Sequence, residues 1–135
     1  MSSFHLSIVT PDGLYFDGQA ERLTVRTTEG EVTILPRHIN YVAALGMGSA
    51  TVVIDGKAKT AACIGGMLSM LYGEAKLIAT TFEWADQIDL SRARSALARA
   101  EEKLSDESLS RAARRPYEAA RRRAQIRISV SEMQS

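Results

Sequence analysis

Four arginines in the C-terminal third of the chain carry its most definite chemistry. Arg92 and Arg99 lie seven residues apart and Arg123 and Arg127 four apart, so each pair shares one face of a helix. Guanidinium forks brought together on facing helices repel one another unless an anion sits between them, and phosphate oxygens suit their planar geometry. Acid–base chemistry near neutrality has only His5 and His38 to draw on. His5 alternates with the apolar face of a strand and is expected to be exposed, His38 reads as a loop residue, and neither has a recognisable partner in the sequence. Gly46-Met47-Gly48 leads into a strand-like segment rather than the helix that a phosphate loop requires, and Gly65-Gly66 reads as a bulge or bend. No zinc-ligand spacing is present. These residue types argue for binding rather than catalysis.

The elements that must position them divide at about residue 87. Phe4, Leu6 and Ile8 alternate with His5 and Ser7 before Thr10-Pro11-Asp12-Gly13, the pattern of a half-buried strand entering a turn. Leu23 and Val25 then precede Thr28-Glu29-Gly30-Glu31, and Val32, Ile34 and Leu35 end at Pro36. Thr51 to Ile54 meets Asp55-Gly56, the strongest hairpin signal present, and Lys57 to Ile64 returns. Met67 to Leu71 and Ala75 to Thr80, flanking Tyr72-Gly73-Glu74, make one more hairpin. Residues 1–86 are therefore expected to form an antiparallel sandwich or flattened barrel of about ten short strands.

From residue 87 onward the period changes to that of a helix. Leu90, Ala93, Leu97, Ala100 and Leu104 form a narrow, alanine-lined stripe, with Asp89 placed as its N-cap. Ser105-Asp106-Glu107-Ser108 breaks this helix and is suited to capping a second. There Ala112, Ala113, Tyr117, Ala120, Ala124 and Ile128 offer another small-residue face. Residues 87–135 thus read as an antiparallel two-helix hairpin. Pro116 should kink the second helix or lie in its first turn, leaving residues 106–115 less regular. Methyl faces bury little area, so such a hairpin coheres weakly and can dock in one state and extend in another.

Charge follows the same division. Residues 1–86 carry six Lys and Arg against nine Asp and Glu, and residues 87–135 carry eleven against seven, so the overall +1 hides an acidic body with a basic end. The single Cys63 has no intrachain partner, which suits a reducing compartment and a role as a small core residue. No apolar run approaches the length of a membrane span and no signal peptide is expected, so the chain reads as cytosolic.

Thr10-Pro11-Asp12-Gly13, Ile34-Leu35-Pro36 with His38, Ile64-Gly65-Gly66-Met67-Leu68 and Ile88-Asp89-Leu90-Ser91-Arg92-Ala93, taken in this order, resemble the epsilon subunit of bacterial F-type rotary ATP synthase. The resemblance covers essentially the whole chain. It departs at Thr33 and Arg37, where that family commonly has Gly, at Asn40, where it often has Pro, and at Pro116. It implies a non-catalytic central-stalk subunit at the cytoplasmic face of the cell membrane, with no required cofactor. The sandwich would bind the gamma subunit and the c-subunit ring, with Glu29, Gly30, Glu31 and His38 as rotor contacts. The hairpin would fold back or extend among the alpha and beta subunits and inhibit ATP hydrolysis.

In some bacterial members the folded hairpin binds regulatory ATP, and the associated motif is matched here at Ile88, Asp89, Arg92 and Ala93. Asp89 and Glu83 would accept from the adenine amino group, and Arg92, Arg99, Arg123 and Arg127 would grip the phosphates. A simpler pairing of Arg92 with Asp89 competes with that arrangement. Arg111, Arg114, Arg115, Arg121, Arg122, Arg123 and Arg127 suit carboxylates on a beta subunit, and equally a solvated face with local pairs such as Glu118 to Arg122. The alternative from another class is a nucleic-acid-binding module using the Arg-rich helix. That reading requires exposed stacking aromatics, whereas Trp84 and the other rings are scattered and no nucleic acid is expected.

Overall fold

The computed structural model describes residues 2–133, which group into two compact units that divide between Trp84 and Ala85. The first holds seven strands among the described residues: β1 (Phe4–Thr10), β2 (Gly13–Ala20), β3 (Arg22–Thr27), β4 (Gly30–Ile34), β5 (Tyr41–Ile54), β6 (Lys57–Leu71) and β7 (Glu74–Trp84). They form one sheet in the order β2-β1-β7-β6-β5-β3-β4, which curls so that β2 meets β5 and encloses a common core.

The strand count is lower than the segment pattern suggests, because β5 and β6 are each a single long strand of 14 and 15 residues. Glycines that punctuate the sequence bend these strands without ending them. Pairing between β5 and β6 resumes in the same register on either side of Gly46 and Gly65, so Gly65-Gly66 is a bend rather than an inserted bulge. Gly66 has φ 118°, and a Cβ there would press on the Ile78 carbonyl and lie 2.8 Å from Ala79 Cα. Only glycine allows β7 to approach this closely. Gly46 and Gly48 serve differently: a Cβ at Gly48 would sit 2.9 Å from Arg26 Cβ, so the bare backbone makes room for the arginine stem.

The β1–β7 pairing is parallel, an exception to the antiparallel expectation, and all other pairings are antiparallel. Asp55-Gly56 turns with φ 52° and 77°, as its residue types demand, and Tyr72-Gly73 adopts the same left-handed pair at 52° and 82°. Inside, Phe4, Leu6, Ile8, Leu23, Val25, Ile34, Val52, Leu68, Met70, Leu77 and Phe82 form the core. Phe82 packs edge-on to both Tyr15 and Trp84. Cys63 lies in this core, where burial pushes its thiol up to about 12, so it remains a protonated apolar side chain.

In the second unit, the 3-10 turn Ala85–Gln87 precedes α1 (Leu90–Leu104), and α2 spans Arg111–Met133. The two helices pack against each other, and α2 also meets the 3-10 turn. Ala93, Ala100 and Leu104 are buried on α1, as their stripe predicts. On α2 the buried residues are Ala124, Ile126 and Val130. Ala112 and Ala113 are exposed, which shifts the packed face toward the C-terminal half.

The connection also differs in detail from the sequence reading. Asp106 does not cap α2; its Oδ1 accepts from the Ser108 amide at 3.0 Å and hydroxyl at 2.6 Å. Those two bonds hold its carboxyl below the usual range. Ser110 caps α2, its Oγ accepting from Ala113 N at 3.1 Å. With Ser110 as the cap, Pro116 falls in the second turn and the helix continues through it from Arg111, so residues 111–115 are regular. The amide it lacks would have bonded to the Ala112 carbonyl, which lies on an exposed residue and can turn to water.

Candidate functional site

The residues assigned to nucleotide are distributed between packing, capping and solvent. Ile88 and Ala93 are buried. Asp89 is exposed and caps α1, its Oδ1 accepting from the Arg92 amide at 3.0 Å. Arg92 and Arg99 are exposed on α1, while Arg123 and Arg127 are half-buried on α2, and Glu83 is half-buried on β7. Within the hairpin, Arg94 pairs with Glu132 at 4.0 Å, and Arg114 Nη2 donates to the Leu104 carbonyl at 2.8 Å. These two ties fix the antiparallel register and set Arg99 and Arg123 at similar heights. Asp89 and Arg92 are brought together, but through a backbone amide, so the Arg92 guanidinium is not consumed by the cap. The structure thus leaves the competing side-chain pairing of Arg92 with Asp89 unmade.

The residues assigned to the rotor lie in the β3–β4 hairpin and in the β4–β5 connection. Glu29 is exposed in the β3–β4 turn, where its amide donates to Thr27 Oγ1 at 3.1 Å. Gly30 and Glu31 already belong to β4, opposite Thr27 and Arg26. Gly30 has φ 124°, a conformation that its residue type permits. His38 lies in the β4–β5 connection, with Nδ1 2.8 Å from the Ile39 carbonyl and its ring edge-on to Tyr41. Arg37 beside it has φ 67°, a left-handed conformation that glycine adopts at less cost. Asn40 Oδ1 accepts from the Tyr72 amide at 2.9 Å and ties this loop to the β6–β7 turn.

Two features of the sheet's outer face are not drawn out by sequence reasoning. The first is a row of apolar side chains running straight across five strands: Leu14 on β2, Val9 on β1, Ile78 on β7, Met67 on β6 and Ala44 on β5 are successive register partners. The first four are 62%, 37%, 54% and 44% exposed. Each occupies an outward position where alternation calls for a polar residue, and that mismatch was the available signal. An apolar row rather than scattered single residues marks an interaction surface.

The second is His5, which does have partners. Its Nε2 faces Asp17 Oδ1 on β2 at 2.5 Å and its Nδ1 faces Glu74 Oε1 on β7 at 3.3 Å. The hydrogen bond to Asp17, followed by that to Glu74, raises its proton affinity above the ordinary value. These partners are acceptors for a proton held on the ring, and nothing in the arrangement presents a nucleophile. Among the described residues no group of three or more His, Cys, Asp or Glu is placed to hold a metal ion. Of the rings a nucleic-acid platform would need, Phe4, Phe82 and Trp84 are buried, whereas Tyr72 is 90% exposed.

Residues 3–85 match the family model of the ATP synthase delta/epsilon chain beta-sandwich domain. The ATP synthase epsilon chain of Shouchella clausii is 36% identical over 132 residues, covering 98% of this chain and 97% of that one. That of Bacillus velezensis is 37% identical over 131 residues, covering 97% and 98%. Among solved structures, a chain of the Euglena gracilis mitochondrial ATP synthase (OSCP/F1/c-ring, rotational state 1) superposes with TM-score 0.80 over 93% of this chain and 79% of that one, at 23% identity. A sandwich followed by a helical hairpin, matched over nearly full length, defines an ATP synthase delta/epsilon-type subunit. The chain belongs to the epsilon-chain family of bacterial ATP synthases.

Proposed function

We propose that this chain is the central-stalk epsilon subunit, performing no bond chemistry itself and coupling rotation of the c ring to catalysis in the alpha and beta subunits. The observation that carries this reading is the row Leu14, Val9, Ile78, Met67 and Ala44, a water-exposed apolar surface on a rigid sheet, suited to permanent seating on a gamma subunit. Glu29, Gly30, Glu31 and His38 are the proposed contacts to the c ring. Among the described residues no helix is long and apolar enough to cross a membrane; attachment to the cytoplasmic face would run through these partners.

The hairpin is the proposed regulatory element. Alanines make up half of its buried helical residues, which gives modest adhesion, and its exposed arginines suit carboxylates on a beta subunit when it extends. Bound ATP, its phosphates held by Arg92, Arg99, Arg123 and Arg127 and its adenine amino group by Asp89 and Glu83, would favour the folded state by relieving repulsion among the guanidinium groups. Reconstitution of a gamma-containing catalytic complex with the full chain, or with a chain ending at residue 86, tests the whole reading. Both are expected to incorporate, and hydrolysis is expected to run faster with the shorter one. Failure of the intact chain to incorporate would overturn the stalk assignment, and equal rates would remove the inhibitory role. A thermal shift of the full chain by millimolar ATP tests the nucleotide site separately.

A further inference from the structure

The outer face of β1 carries an arrangement that neither rotor contact nor nucleotide binding uses. His5 stands on the strand between β2 and β7, and each of its ring nitrogens faces a carboxylate from a different neighbour: Asp17 on β2 and Glu74 on β7. Sequence separations of 12 and 69 residues make this a tertiary contact rather than a turn. A neutral imidazole has one N–H and can donate to only one carboxylate; the lone pair of its other nitrogen would then face the second. Only the imidazolium donates both ways. The geometry therefore selects the protonated ring.

We propose that His5, Asp17 and Glu74 form a proton-operated clip that fastens the edge strand β2 and its neighbour β1 to β7. β2 stands at one end of the sheet order and pairs with β1 alone, with a register irregularity between Ile8 and Val9. An edge strand with a single, irregular backbone pairing belongs to the part of a sheet that opens most readily. A charge-assisted link reaching past β1 to β7 counters that opening. The other groups facing the ring are few. Ser7 and Lys76 lie one step along the same face, as register partners, and Ser3 donates to Gln19 on the other side. Lys76 is the cation on that face, and the two carboxylates favour retention of the His5 proton. Beneath the ring the face is the apolar core of Leu6 and Ile8.

The direction of the pH effect follows from the partners. Their hydrogen bonds raise the folded-state proton affinity above the ordinary value of 6.5. The clip is thus fully made below that value and is lost as pH rises through the folded midpoint. Ring and carboxylates are each partly exposed, with side chains 41%, 51% and 66% accessible. Protons therefore reach the clip from bulk water without an opening step. The apolar row crosses β1 at Val9, four residues along the strand from His5, so the same proton sets the charge bordering that surface.

Nitrogen-resolved NMR of the histidine rings in the full chain, with His38→Gln used to assign the His5 signals, reads the clip directly. Both His5 nitrogens are expected to carry protons below the midpoint, which lies above the ordinary value and moves down in Asp17→Asn and also, by a smaller step, in Glu74→Gln. Amide-exchange protection of β2, corrected for intrinsic base catalysis, is expected to fall as pH rises through that midpoint, and this step should vanish in His5→Gln. A His5 midpoint unmoved by Asp17→Asn would overturn the clip. Protection of β2 that shows no step in the wild-type chain would overturn its fastening role even if the ring titrates as described.

Discussion

Asp89 accepts a hydrogen bond from the Arg92 amide at 3.0 Å, so the acidic and the basic residue proposed to meet a nucleotide are first of all the start of a helix. The two roles make different demands on the side chain at 89. Capping needs an oxygen acceptor, which Asn supplies as well as Asp. Accepting from an adenine amino group across the site is stronger for a carboxylate. Asp89→Ala is expected to cost about 1 kcal/mol of helix stability, seen as earlier loss of the helical circular dichroism signal on heating. Asp89→Asn is expected to leave that signal in place and to diminish the thermal shift produced by ATP. Equal ATP shifts in Asp89→Asn and the wild-type chain would confine residue 89 to capping.

Arg114 is the second residue whose structural use differs from its place in a basic run. Its guanidinium donates to the Leu104 carbonyl at 2.8 Å and to the Asp106 carbonyl at 3.2 Å, closing the end of α1 from the adjoining helix. Carbonyls at a helix C-terminus lack intrahelical donors, and a cation there also opposes the dipole's negative end. Arg114→Ala is expected to loosen the hairpin by about 1–2 kcal/mol, read as faster amide exchange in the last turn of α1. Arg115→Ala, at a neighbouring exposed position, is expected to leave that exchange unchanged.

Arg37 at φ 67° stores strain that a glycine would release. The left-handed conformation costs an ordinary residue about 1–2 kcal/mol, and glycine's greater freedom in the unfolded chain returns about 0.5–1 kcal/mol of that. Arg37→Gly is therefore expected to stabilise the sandwich by about 0.5–1 kcal/mol, visible as a higher denaturant midpoint with an unchanged slope.

At Gly66 the opposite result is expected. Here φ is 118°, and an added methyl would meet the backbone of Ile78 and Ala79 rather than a side chain able to move. The conformation alone costs about 1–3 kcal/mol for a non-glycine residue, and separating β6 from β7 adds lost pairing. Gly66→Ala should lower the denaturant midpoint of the sandwich well below that of Gly56→Ala, whose Cβ would enter open space.

Most of the fold was legible because its elements are locally encoded. The alternation of Phe4, Leu6 and Ile8, the Asp55-Gly56 turn and the Ala93-Ala100-Leu104 stripe each follow from period and turn chemistry, and each recurs in the structure. Strand continuity was not legible, since Gly46 and Gly65 look like punctuation until the neighbours that need their bareness are known. The parallel β1–β7 pair was hidden for a related reason: pairing His5 with Glu74 spans most of the sandwich, and no local signal encodes it. The same long-range pairing concealed Glu74 as a partner of His5. On α2, the small residues Ala112 and Ala113 suggested packing, but methyl groups tolerate solvent, and burial followed the larger Ile126 and Val130.

The outer row offers the sharpest test of the stalk reading, because its residues point away from the core. Ile78 and Met67 are register partners on β7 and β6 at 54% and 44% exposure, so replacing them leaves the interior packing untouched. Loss of strand propensity limits the cost of Ile78→Lys or Met67→Lys to the fold to within about 1 kcal/mol. A lysine buried against an apolar partner must instead shed its hydration without a counter-charge. Binding to isolated gamma is therefore expected to weaken by at least about thirtyfold, the equivalent of about 2 kcal/mol, measured by titration calorimetry alongside the unfolding midpoint. Lys76→Glu, on the adjacent outward position of β7, separates apolar seating from charge. If the row seats on gamma by burial, this reversal should change affinity far less than either lysine substitution. A charge reversal that outweighs both would instead assign the contact to electrostatics and remove the apolar row from the interface.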